Sequence, residues 1–257
     1  MQVKLTFLGT GTSQGIPIIG SKHPVCLSTD SRDKRLRVSV LIEVEDTILI
    51  VDCGPDFRQQ MLKHNVSRFD GLLFTHEHAD HTAGVDDLRP FYFRQGDIPC
   101  YMTVRVEEAL KDRFKYIFAT VDKYPGVPTL EVNNFSNAPF TINGTMVTPV
   151  EASHGYLPVH GFRVGNVAYM TDVKTIEQEE RKKLENLDVL IINMLRDEPH
   201  PSHLNLDEAM DLINELKPKR TYFTHISHHL GFHAQAQARL PENVFLAYDN
   251  LTITSST

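Results

Sequence analysis

The chain has 257 residues, is 41% hydrophobic and 23% charged, and carries a formal net charge of −7. This length buries a sizeable core without covalent staples, and the acidic balance excludes a general affinity for nucleic-acid backbones, which needs a basic face. The three cysteines, Cys26, Cys53 and Cys100, are too few and too widely spaced for a disulfide framework.

Val3–Leu8 alternates polar and apolar residues and predicts a first strand, stopped by the Gly-rich loop Gly9–Gly15. Two β-branched runs, Val38–Val44 and Thr47–Asp52, flank Glu45-Asp46 at hairpin spacing. A turn at Asp52-Cys53-Gly54-Pro55 leads to a short helix over Asp56–His64. Phe69–Thr75 reads as a buried strand that delivers the chain into His76. Helical or irregular structure follows to about Phe93, and helical spacing returns over Glu107–Phe118. Thr141–Pro149 and Gly161–Thr171 predict strands, the second ending at Asp172. Thr175–Asn186 predicts a polar helix and Val189–Asn193 a buried strand. Leu206–Leu216 is an amphipathic helix stopped by Lys217-Pro218. Arg220–Thr224 is the strand before His225, and Asn243–Ala247 and Leu251–Thr254 close the chain. No apolar run approaches the roughly 18 residues of a membrane span. The first ten residues lack the charged-then-apolar order of a secretory signal. The expectation is a single cytoplasmic domain, residues 1–257, with no membrane partner.

The 13 histidines are the compositional oddity. Thr75-His76-Glu77-His78-Ala79-Asp80-His81 sets three imidazoles and a carboxylate directly after a strand. Imidazole and carboxylate suit Zn, Mn or Fe without thiolate. In an extended segment His76 and His78 face one side, and Asp80 and His81 on the next turn can serve a second ion. Gly9-Thr10-Gly11 is no dinucleotide fingerprint, because the third glycine is a residue late and Pro17 follows where a helix should open.

The His-x-His-x-Asp-His run resembles the signature of the metallo-β-lactamase superfamily. That resemblance implies an α/β fold, an αββα four-layer sandwich, and a dinuclear site. It assigns His76, His78 and His154 to one divalent ion and Asp80, His81 and His225 to another, with Asp172 bridging them. Two such ions lower the pKa of a water and polarise the oxygens of the attacked group. The segments Gly9–Pro17, Asp33–Arg37 and His228–His233 are similar to the PhnP-like branch, which contains the phosphodiesterase of bacterial phosphonate breakdown. A small cyclic or nucleotide-like phosphodiester is therefore the implied substrate, with Asp80 orienting the nucleophile and His203 protonating the leaving oxygen, a task suited to a near-neutral pKa. Relatives also bind a structural zinc through Cys-x-Cys-x-x-Cys and a later His. Here those positions are Ser21, His23 and Cys26 with His228, so either His23, Cys26 and His228 hold that third ion with a water or the loop relies on ordinary packing. The branch also implies a homodimer. Other readings on the same fold are a tRNA-maturing endonuclease and a thioesterase or lactonase; a metal-binding scaffold without activity is the non-enzymatic alternative.

Overall fold

The structure, a computed structural model, describes residues 2–121 and 123–256. Six strands come first: β1 (Gln2–Gly9), β2 (Ser39–Val44), β3 (Thr47–Val51), β4 (Gly71–Leu73), β5 (Ile98–Met102) and β6 (Leu130–Asn134). A second set follows: β7 (Phe140–Ile142), β8 (Thr145–His154), β9 (Leu157–Val164), β10 (Val167–Met170), β11 (Val189–Asn193), β12 (Arg220–Thr224) and β13 (Val244–Leu246). The last strand, β14 (Thr252–Ser256), returns to β1. Two seven-stranded sheets result, in the orders β14-β1-β2-β3-β4-β5-β6 and β13-β12-β11-β10-β9-β8-β7.

Residue alternation explains the layering. In β11, Val189 and Ile191 point into a core shared with Val3, Leu5, Phe7, Val40 and Ile42 of the first sheet. Leu190 and Ile192 point the other way, onto Ala209, Leu212 and Ile213 of the helix Leu206–Leu216. A strand buried on both faces needs an unbroken apolar run, as Val189–Ile192 supplies. The outer face of the first sheet is covered in the same manner. Ile50, Leu72 and Cys100 pack under Phe57 and Met61 of the helix Phe57–His64 and under Val106 and Leu110 of the helix Val104–Arg113. The arrangement is the αββα sandwich of the sequence reading, with one core between the sheets and one under each helical layer.

Three predicted elements are corrected. Residues 141–149 form two strands, β7 and β8, joined at Asn143 (φ 47°) and Gly144 (φ 83°), the Asn-Gly pair that tight hairpins favour. Residues 161–171 likewise divide into β9 and β10 around Gly165 and Asn166. The polar helix shrinks to Gln178–Arg181 and a 3-10 turn over Lys182–Leu184, because Thr175 pairs with Ser153 at the end of β8. No helix among the described residues is long and apolar enough to cross a membrane.

Strand direction positions the site. β3, β4 and β5 run parallel in one sheet, and β10, β11 and β12 in the other. The carboxyl ends of parallel strands are where open α/β sheets place their ligands. Asp52 and His76 leave the first set, and Asp172, Asn193 and His225 leave or end the second.

Candidate metal centre

Three groups of side chains converge there, each with donor atoms within 4.8 Å of one another: His76, His78 and His154; Asp80, His81, Asp172 and His225; and His154, Asp172 and His203. All seven ligands expected from the sequence are thus brought together, and Asp172 belongs to two groups, as a bridging carboxylate would. His76 Nε2 lies 2.9 Å from His78 Nδ1. Asp172 presents Oδ2 at 3.2 Å from His81 Nε2 and Oδ1 at 3.2 Å from His225 Nε2. Asp80 Oδ2 approaches the same two nitrogens at 3.3 and 3.8 Å.

The backbone is bent to aim these groups. Asp52, Asp172 and His225 each take a left-handed conformation, with φ of 65°, 58° and 55°. For a non-glycine residue this costs on the order of 1–3 kcal/mol and persists only where the surroundings over-determine it. After Asp172, the fully buried Asn193 side chain grips the next peptide at both ends: Val173 N–H donates to its Oδ1 (2.6 Å), and its Nδ2 donates to Val173 O (3.0 Å). Thr171 Oγ1 donates to Asp172 Oδ2 at 2.7 Å. Beyond His225, Ile226 N–H donates to Thr10 O at 2.9 Å.

Outer contacts fix which ring nitrogen His81 and His154 offer. His81 Nδ1 meets Asp52 Oδ2 at 2.6 Å, which leaves Nε2 for the centre. Asp52 is itself held by Thr75, whose N–H and Oγ1 donate to it at 2.9 Å. His154 Nδ1 sits 2.8 Å from the Ser202 carbonyl. Asp52, Thr75 and Asn193 were not singled out in the sequence. Asp52 was legible, since it ends a β-branched run just as Asp172 does, but it reads equally well as a turn residue.

The fit to cations rests on orphaned atoms. His81 Nε2 and His225 Nε2 are buried and make no hydrogen bond. Buried polar atoms are seldom left so in native proteins, and an unfilled ligand site is one of the few reasons. The electrostatics agree. Burial acts to raise the Asp80 and Asp172 carboxyls, yet the surrounding His81 and His225 outweigh it and hold both well below the ordinary range. Burial acts to lower His81, but Asp80, Asp172 and Asp52 drive it well above its usual value. Three carboxylates thus draw positive charge onto one imidazole, the role a bound cation would take over.

His203 is buried against the centre. Its ring lies 4.5 Å from that of His154 and 4.7 Å from that of His225, centroid to centroid, and its Nδ1 is 3.8 Å from Asp172 Oδ1. The capping box at Asn205 and Glu208, which opens the helix Leu206–Leu216, fixes the loop that carries it. The near-neutral pKa expected of His203 is corrected: burial, then the nearby His225, push it down to about 2, so this histidine is neutral.

The third ion was one of two expectations for the loop at His23, beside ordinary packing. His23, Cys26 and His228 are not among the groups that converge. The His23 and His228 rings do lie 4.8 Å apart. But His23 Nδ1 accepts from Val25 N–H as a helix cap, and Cys26 turns into a small apolar cluster with Ile16 and Val25. These contacts are those of the packing alternative.

Two facing mixed sheets with an imidazole and carboxylate cluster at their strand ends define a metal-dependent hydrolase of the metallo-β-lactamase fold. The family model for the beta-lactamase superfamily domain matches residues 47–226, from β3 to the peptide after His225. A solved structure described as a new diphosphatase from the PhnP family has a TM-score of 0.93 and 37% identity, covering 99% of this chain and 98% of its own. The chain belongs to the metallo-β-lactamase superfamily, in its PhnP-like branch. An octanoyltransferase from Porphyromonas gingivalis is 36% identical over 252 residues, 97% of this chain but 51% of that protein. A ribonuclease Z from Bradyrhizobium diazoefficiens is 31% identical over 86 residues, 33% of this chain and 23% of its own length. The chain therefore spans about half or less of these curated relatives.

Proposed function

We propose that this chain hydrolyses a phosphodiester or diphosphate linkage in a small, nucleotide-like or cyclic substrate, with no nucleic-acid or membrane partner. The observation that carries this reading is the buried His203 beside His154, Asp172 and His225 of the seven candidate ligands, in a chain 37% identical along its length to a PhnP-family diphosphatase. Two divalent cations, Zn or Mn by the donor chemistry and Fe as a further candidate, would be held by His76, His78 and His154 and by Asp80, His81 and His225. Asp172 would be shared between them. When bound, they supply an acidified water and neutralise charge on the attacked phosphoryl group.

The chain's own residues do the remainder. Asp80, held by His81 and His225, orients the attacking oxygen. Asp52 and the Ser202 carbonyl keep His81 and His154 from turning. His203 offers a neutral ring N–H as a hydrogen bond to the departing oxygen and disperses the charge that develops there, while the proton that this oxygen finally takes comes from solvent. The ribonuclease Z alignment covers a third of the chain and the diphosphatase likeness covers nearly all of it, which favours a small substrate over tRNA. Hydrolysis of an acyl ester or thioester is the second reading. It is favoured by one observation, the octanoyltransferase name of a protein half of which aligns with this chain. The resemblance to the branch also supports a homodimer.

The test is turnover of bis(p-nitrophenyl) phosphate, a dinucleoside diphosphate and a p-nitrophenyl thioester by protein loaded with Zn or Mn. Cleavage of either phosphorus substrate, with the thioester intact, is expected. Thioester cleavage alone would replace the first reading with the second.

A further inference from the structure

Thr10, fully buried, joins the Gly-rich loop to the segment that carries His225. Its carbonyl accepts from Ile226 N–H at 2.9 Å, and Ile226 O accepts from Thr12 N–H at 3.2 Å. These bonds grip the peptide immediately after His225, whose own backbone sits at φ 55° and would relax if released. What holds Thr10 lies behind it. Its hydroxyl donates to Asp249 Oδ1 at 2.7 Å and accepts from Arg35 Nη1 at 2.8 Å. Arg35 Nη1 also donates to Ala247 O at 2.5 Å, and its Nη2 lies 3.1 Å from His233 Nδ1. The other Asp249 oxygen accepts from Leu36 N–H at 2.6 Å. Arg35 is 3% exposed, so one buried guanidinium gathers three stretches of chain: the loop at Thr10, the helix that opens at His233, and the link between β13 and β14.

A buried arginine that reaches its nearest carboxylate only through a hydroxyl is weak as a stabilising device, because desolvation offsets the attraction and apolar replacements often serve as well. Its distinctive property is geometric. A planar guanidinium with fixed donor directions places several acceptors at once, which an ammonium or an apolar side chain does not. Arg35 touches none of the metal-ligating side chains named above.

We infer that Arg35, with Asp249, is a positioning residue: through the Thr10 hydroxyl it holds the Thr10 carbonyl on the Ile226 amide and so keeps His225 aimed at Asp80 and Asp172. The consequence for metal rests on the reading of Asp80, His81, Asp172 and His225 as a cation site; the clamp itself does not.

Two variants test it, Arg35→Lys and Thr10→Val, with Arg35→Met/Asp249→Asn as a neutral double replacement should either fail to fold. The first readout is amide hydrogen exchange at Ile226 in metal-free protein. At least tenfold faster exchange is expected, with the amides of β11 unchanged. The second is stepwise Zn binding by equilibrium dialysis, where the second equivalent is expected to weaken about 10–100-fold and the first to stay as it is. Wild-type exchange at Ile226 in a folded variant would overturn the inference. So would equal weakening of both equivalents in step with a general loss of stability, since that is what a merely structural role predicts. If the parent protein binds no second equivalent, the cation reading fails, while the exchange rate still decides the clamp.

Discussion

Alanine in place of His203 is expected to lower kcat for a phosphodiester about 10²–10³-fold, the range for losing one hydrogen-bond donor aimed at a developing oxyanion. Metal content should stay at the wild-type value. The argument is geometric first: His203 stacks on His225 at 4.7 Å and faces Asp172, so it borders the centre without being needed to complete either group of imidazoles assigned to an ion. The protonation state sharpens the expectation. With its pKa pushed down to about 2 by burial and by His225, His203 carries charge only below that pH and is neutral across the working range. The factor lost in the variant should therefore be the same at pH 6 and pH 9. A deficit that vanished on the alkaline side would mean that the parent works through an imidazolium. The deficit should also be smaller for p-nitrophenolate, which leaves well without assistance, than for an alkoxide. Loss of one metal equivalent in His203→Ala would make this residue a ligand instead.

The second large effect is expected at Gly54. A Cβ there would lie 2.0 Å from the Asp80 carbonyl oxygen and 3.0 Å from its carbon. Both neighbours are backbone, so no side chain can swing aside. The contact is locked on either flank, by Cys53 N–H donating to His81 O at 2.8 Å and by Gly84 N–H donating to Cys53 O at 2.8 Å. Gly54→Ala must push the Asp80-His81 peptide away from the turn that follows β3. Overpacking of this kind destabilises by about 1–3 kcal/mol, and more where the backbone must move. The displaced residues are the two ligands that the Asp80, His81, Asp172 and His225 group takes from the His-x-His-x-Asp-His run. Urea unfolding of metal-free protein should show the lost stability, and dialysis should show the loss of one metal equivalent. Parent-like values for both would mean that this close approach does not hold the loop.

The candidate ligands were legible because their chemistry is local. His76, His78, Asp80 and His81 share one turn, and the resemblance located His154, Asp172 and His225 at strand ends. The layers were legible for a similar reason, since runs such as Val189–Ile192 show that both faces of a strand are covered. What escaped was set by partners distant in sequence. Asp52 reads as a turn residue until Thr75 and His81 are seen to close on it. Asn193 looks like the polar end of a strand until it is found gripping Val173. The near-neutral His203 failed because burial and a neighbouring imidazole are invisible in a sequence. β5 was not predicted, and it carries Pro99 between β4 and β6. The loop at His23 was left with two readings, because the role of His23 Nδ1 as a helix cap depends on a backbone that the sequence does not display.

Metal content tests the central claim most directly. Purified protein, stripped by chelation and dialysed against Zn, should take up two ions per chain, while Asp80→Ala should take up one and hydrolyse neither phosphorus substrate. An uptake of fewer than two ions by the parent, or a stoichiometry unchanged in Asp80→Ala, would contradict the assignment of the seven side chains to a dinuclear centre.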